Sequence, residues 1–147
     1  MLLQELVATS AAVAEASSRL VKIGRLATLL QRLTAAEVDT AIAFLSGEPR
    51  QGRIGIGPSA IREASALVSA GSSTLHLLEV DEVFERISAT TGRGSPADRV
   101  RLLRELLSRA SASEQDFLIR LLFGELRQGA LEGVLIEAVG RAAHLSP

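Results

Sequence analysis

Two tetrapeptides do most to limit what this chain can fold into: "TAAE" at Thr34 to Glu37 and "SASE" at Ser111 to Glu114. Each sets a hydroxyl three residues before a glutamate. In that pattern the hydroxyl accepts from the backbone N–H at the far end of the box, and the carboxylate accepts from the N–H at its start. Apolar residues at helical spacing follow both, so both predict helix starts.

Similar punctuation runs the length of the chain. Leu20, Ile23, Leu26, Leu29, Leu30 and Leu33 keep a helical period between Leu2 and about Arg32, which predicts a short helix and then a long one entered near Thr9 or Ser10. The Thr34 box opens a helix that stops at Gly47, after "FLS". Pro58 suits the first turn of a helix through about Ser69. "STLHLLEV" reads as extended chain leading into a helix from about Asp81 to Thr90. Ser95 and Pro96 form an N-cap and first-turn pair for a helix with Val100, Leu103 and Leu107 inward. The Ser111 box opens a helix through Phe123, and a last helix starts near Ala130. The expectation is an all-α, compact multi-helix domain of about eight helices, with no paired strands and no repeat period. The chain has 147 residues, 47% hydrophobic but only 3% aromatic. One sizeable core can therefore be buried, and it is aliphatic. Residues 1–147 read as a single domain.

Much chemistry is excluded. There is no cysteine, hence no disulfide, thiolate metal site or thiol nucleophile. His76 and His144 are far apart and belong to no metal-spaced cluster, so both read as structural or exposed. There is no GxSxG elbow. "GIGPSA", Gly55 to Ala60, has the GxGxxA form of a dinucleotide fingerprint with Glu79 downstream, but the preceding "EPRQGR" is polar and no strand. The N-terminus carries Glu5 and Glu15 without a basic start, and no stretch approaches the roughly 18 uncharged apolar residues of a membrane span. A cytoplasmic domain without a membrane partner is expected.

The formal net charge of -1 argues against an indiscriminate, strongly basic nucleic-acid binder. Its make-up is uneven: the 16 basic residues are 15 arginines and one lysine, Lys22. Glu79 to Arg86 is acidic and reads as a solvated face, whereas Arg93 to Arg109 carries Arg93, Arg99, Arg101, Arg104 and Arg109 against Asp98 and Glu105. One face can be basic although the total is not.

Three times, glycine and arginine stand together just before a helix start: "PRQGRIGIGPS" (Pro49 to Ser59), "TGRGSP" (Thr91 to Pro96) and "GELRQGA" (Gly124 to Ala130). Glycine lets backbone amides approach a ligand, a helix start presents unpaired N–H groups, and arginine supplies a forked phosphate contact. Capping alone asks for the glycine but not for the arginine beside it. Each loop could hold one phosphate, and three suit a polyphosphate backbone better than a mononucleotide.

The block "EQDFLIRLLFGELRQGALEGVLIEAV", with "TGRGS" and "FLSGEPRQGRIGIG" before it, resembles the N-terminal DNA-binding domain of ATP-dependent DNA ligases, especially the actinobacterial kind. The resemblance covers nearly the whole chain in order. It implies an all-helical domain that grips the minor groove across a nick in double-stranded DNA during replication, repair or recombination, at the nucleoid. The DNA-binding positions it implies are Gly55 and Gly57, then Gly92, Gly94 and Ser95, then Gly124, Arg127 and Gly129; Arg53 and Arg93 join them from the loop chemistry. The family's adenylylated lysine lies in a KxDG motif, whereas Lys22 lies in "VKIGR". The implied reading is a non-catalytic N-terminal fragment, truncated before the nucleotidyltransferase and OB-fold domains, with no cofactor or metal of its own. ATP and Mg2+ belong to the parent enzyme. The alternative from the residues is a helical protein-interaction or regulatory module without DNA binding; arginines 53, 93 and 127 gathered on one face would favour DNA.

Overall fold

The structure is a computed structural model that describes residues 1–65, 69–126 and 129–145. Its elements are α1 (Leu3–Glu15), α2 (Arg19–Gln31), a 3-10 turn (Ala35–Glu37), α3 (Val38–Ser46), α4 (Pro58–Ser65), α5 (Leu77–Ala89), α6 (Ser95–Ser108), α7 (Ala112–Phe123) and α8 (Gly129–Leu145). The fold is all-α; the described residues form eight α-helices and add only two isolated bridges, Leu2 with His76 and Ala70 with Ser111.

Both capping boxes form. The Ser111 N–H donates to the Glu114 carboxylate at 2.8 Å and the Glu114 N–H returns to the Ser111 hydroxyl at 3.3 Å. Thr34 N–H donates to Glu37 at 2.9 Å, and the Thr34 box opens first a single 3-10 turn and then α3. The Glu37 carboxylate is buried and also accepts from the Met1 amino group; that contact first, and the Thr34 backbone second, hold its carboxyl below the usual range.

Four boundaries differ from the sequence expectation. The first helix does not end near Thr9 or Ser10. Both lie inside α1, and the break comes at residues 16–18, where the Ser18 hydroxyl accepts from the Val21 N–H at 3.3 Å and starts α2. α5 begins at Leu77 rather than Asp81, because Glu79 takes the His76 N–H at 2.9 Å and makes His76 the cap. Ser95 is not the cap of α6 but its first helical residue. The cap is Gly94, in the left-handed region at φ 80°, whose carbonyl accepts from Asp98 N–H. α4 is described to Ser65; residues 66–68 lie outside the described residues, and Ser69 itself is not helical. The last helix, from Gly129, starts where expected, next to Ala130.

The core is aliphatic around three rings. Phe44 of α3 lies 5.9 Å from Phe84 of α5 and 6.4 Å from Phe117 of α7, both tilted. Val100, Leu103 and Leu107 of α6 are all buried.

Helix direction places the loops. Arg109 pairs with Glu79, and Ala70 N–H donates to Ala110 carbonyl, so the end of α6 meets the start of α5 and the chain beyond α4. At the other end Arg99 lies against Gly55, and further along Arg104 reaches Glu63. Those pairs ascend together, so α4 and α6 run in the same sense, while α5 and α7 run opposite to them. The start of α4, the α5–α6 connection and the end of α7 therefore share one end of the bundle.

Candidate nucleic-acid interface

The first loop, after α3, begins at Gly47, a left-handed helix stop. Its front half is fixed. Arg50 Nε meets the Asp81 carboxylate at 3.1 Å, Arg50 Nη2 meets Glu85 at 2.9 Å, and the Gln51 amide donates to both carboxylates. The Asp81 hydrogen bond, chiefly, raises the affinity of Arg50 for its proton. The acidic stretch of α5 is largely solvated, as expected, with Glu82 and Glu85 exposed, and it also pairs with this loop and, through Glu79, with Arg109.

The back half is open. Ile54 is buried and pins the strand, but Arg53, Gly55 and Gly57 are exposed. They face the end of α7 across a concavity of about 670 Å³, whose lining includes Arg53, Gly55, Gly57, Ile61, Phe123 and Gly124. Arg62, from α4, sits over the Phe123 ring at 5.9 Å. Two of the three loops therefore meet in one depression.

The second loop joins them through a residue that the sequence did not single out for this role. Arg99, one turn into α6, donates from Nη2 to the Thr90 carbonyl at 2.6 Å, and its guanidinium lies against Gly55: a Cβ at Gly55 would stand 3.6 Å from Arg99 Cζ. Gly55 has φ +79°, a conformation side chains rarely adopt, so the backbone calls for glycine here, while a Cβ would make only ordinary contact with Arg99. Gly92, Arg93 and Gly94 are exposed next to Thr90, whereas Ser95 is buried. Of the third loop, Gly124 ends α7 in the left-handed region and Gly129 opens α8; Arg127 lies outside the described residues.

Gly57 differs from its neighbours. Its φ is not in the left-handed region, and an added Cβ would meet nothing within 4 Å. Neither backbone geometry nor internal packing calls for glycine there.

Electrostatics separate this end from the rest. Arg101, Arg104 and Arg109, further along α6, each reach a carboxylate, as do Arg19, Arg32, Arg50 and Arg120. Among the described residues, Arg53, Arg62, Arg93 and Arg99 have no carboxylate within 4 Å, a condition they share only with Arg25, Arg86 and Arg141 elsewhere. Arg53 lines the depression together with Glu48, and Arg62, Arg93 and Arg99 lie on the elements that meet at this end of the bundle, so arginines without an ion pair among the described residues gather here on a chain of net charge -1. What sequence reasoning missed, Arg62 and Arg99, is helical and reaches the loops only through the packing of α4, α6 and α7.

Lys22 lies within α2 and is followed by Ile23 and Gly24, not by the Asp-Gly of an adenylylation motif, and the described residues bring together no His, Asp and Glu cluster suited to a metal. No helix among the described residues is long and apolar enough to cross a membrane.

Residues 59–140 match the family described as DNA ligase N terminus. Similar proteins include a probable DNA ligase of Anaeromyxobacter sp. (strain Fw109-5), 54% identical over 97% of this chain and 28% of that protein. Others are probable DNA ligases of Saccharopolyspora erythraea, 48% identical over 100% of this chain and 29% of that one, and of Mycolicibacterium gilvum, 48% identical over 99% and 28%. The chain thus spans less than a third of the length of these relatives. With the match covering more than half the chain, including the second and third loops, this all-helical chain belongs to the DNA ligase N-terminal family.

Proposed function

We propose that residues 1–147 form the DNA-binding domain of an ATP-dependent DNA ligase and grip nicked duplex through phosphates flanking the minor groove. The observation that carries this reading is the set of arginines without carboxylates, Arg53 and Arg93 foremost, beside exposed glycines at one end of the bundle. On a chain of net charge -1, guanidiniums left without a carboxylate are screened by solvent in the free protein and become useful when a phosphate replaces that solvent. Contacts to the backbone make the grip nearly indifferent to sequence. Within this reading Gly55, Gly57, Gly92, Gly94, Gly124 and Gly129 keep the chain close to the strand, and Arg127 adds a further cation.

The domain's part in nick sealing is positioning. ATP and Mg2+ serve nucleotidyltransferase and OB-fold segments of the longer protein, in the cytoplasm at the nucleoid, in replication, repair or recombination. The test is fluorescence anisotropy of a labelled nicked duplex titrated with the 147-residue chain. Expected are binding at low salt, a linear fall of log affinity with log salt, and similar affinities for unrelated sequences. A folded chain that leaves the anisotropy flat at low salt would sink the proposal and favour a helical interaction module.

A further inference from the structure

We propose that Arg99 is a positioning residue that braces the first and second loops at a fixed separation, so that two consecutive phosphate contacts are preset before DNA arrives. The inference rests on the DNA-binding reading above and goes beyond it. Arg99 links the two loops: Nη2 holds the carbonyl of Thr90, the residue just before the second loop, at 2.6 Å, and the guanidinium lies beside Gly55 of the first, close enough that a Cβ there would be in van der Waals contact with it. The residue is half-buried, and its Nε is buried with no hydrogen-bond partner in the fold. Its charge is not cancelled by any carboxylate among the described residues. A guanidinium in that state costs stability, since a buried donor without an acceptor loses its hydration. What it returns is geometry. Thr90 leads directly into Gly92, Arg93 and Gly94, and Gly55 lies between Arg53 and Gly57, so a single rigid fork sets the distance between two phosphate-seeking segments. Lysine cannot substitute for the fork, because one ammonium cannot both reach the Thr90 carbonyl and cover the Gly55 backbone. Preorganisation of this kind raises affinity by removing the cost of ordering the loops on binding.

A positioning residue and a phosphate ligand differ in what salt does to them. Removing a ligand lowers the slope of log affinity against log salt by about 0.9 per phosphate lost, while removing a brace lowers affinity at every salt and leaves the slope alone. The experiment compares the wild-type chain with Arg99→Leu, Arg99→Lys and Arg53→Ala by anisotropy on a nicked duplex across a salt series. Amide hydrogen exchange on the free proteins is measured alongside. For Arg99→Leu the expected result is roughly tenfold weaker binding, the size of one lost charge-assisted hydrogen bond, at an unchanged slope. Faster exchange is expected, in the absence of DNA, at both the Gly52 and Ser95 amides, which close turns of the first and second loops by donating to the Pro49 and Gly92 carbonyls. Arg99→Lys should also bind more weakly than wild type, and it serves as the measured variant if Arg99→Leu does not fold. Arg53→Ala should lose slope. A slope loss in Arg99→Leu makes Arg99 a direct ligand and overturns the brace, as does wild-type affinity in Arg99→Lys or exchange that quickens in one loop only. No binding by the wild-type chain overturns the DNA-binding reading itself, and the brace with it.

Discussion

Arg50 and Arg53 lie three residues apart in one loop and have opposite surroundings. Arg50 is held by Asp81 and Glu85, with Gln51 bonded to the same two carboxylates, whereas Arg53, on the wall of a concavity that Glu48 also lines, makes no ion pair among the described residues. Identical side chains thus do different work because of what α5 and α7 bring to each. The front half of the loop is a structural clamp, and its acidic partners make it insensitive to an incoming anion. The back half is a surface kept cationic. The lesson is that an arginine count says little about nucleic-acid binding until the arginines already neutralised by the fold are set aside.

The comparison breaks most severely if Gly55 tolerates bulk. Gly55→Val should cost about 1–3 kcal/mol from its left-handed φ alone, and more as its side chain displaces Arg99; a lower melting midpoint and loss of measurable DNA binding are expected together. Gly57→Val separates the two effects. With no positive φ and open space at its Cβ, the variant should melt near wild type and yet bind nicked duplex roughly tenfold more weakly, as read by anisotropy. A folded Gly57→Val with full affinity would mean that no strand approaches this backbone. Arg53→Ala should weaken binding severalfold, lower the salt slope by about 0.9, and leave the melting curve unmoved. Arg50→Ala should do the reverse, with a slightly lower midpoint and an unchanged slope. If the two arginine variants gave the same pair of results, the division of the loop would be wrong.

The smallest effect concerns pH, and it belongs to the clamped side. Arg109 first, and the His76 backbone second, lower the pKa of Glu79, a partly exposed carboxylate. A depressed folded pKa gives stability that is present above the unfolded value, near 4.3, and lost as pH falls through the folded value. Urea melts should therefore show Glu79→Gln slightly less stable than wild type at neutrality, with the gap closing as pH falls below about 4.3 and no change in the salt slope of DNA binding.

Much of this was legible in the sequence for reasons that are local. A capping box is a four-residue event, and both boxes and the stops at Gly47 and Gly124 appear where the residues put them. The same locality explains the failures. His76 became a cap only because Glu79 reached back to it, a pairing without a hydroxyl to signal it, and Ser18 competed with Thr9 and Ser10 in a run where all three could cap. The three loops were visible as composition, and their convergence on one side was expected because one duplex must be reached by all of them, but the packing that brings it about was not visible, since it follows from α4 and α6 running in the same sense. Arg99 was visible only as one of several arginines in a basic stretch. Its position against Gly55 depends on residues more than 40 apart, and no spacing along the chain encodes it.

The packing of α8 on α2 bears on how the chain is made. Arg19 of α2 meets Glu137 of α8, and α8 closes over a seam that includes Val13, Leu26 and Leu45. A chain emerging from the ribosome therefore exposes much of the apolar face of its first helices until more than a hundred further residues have followed. Contacts of such separation slow folding and prolong the interval in which that face is open to aggregation or to a chaperone. Substitutions along this seam will first change the yield of soluble protein, before any effect on DNA can be measured.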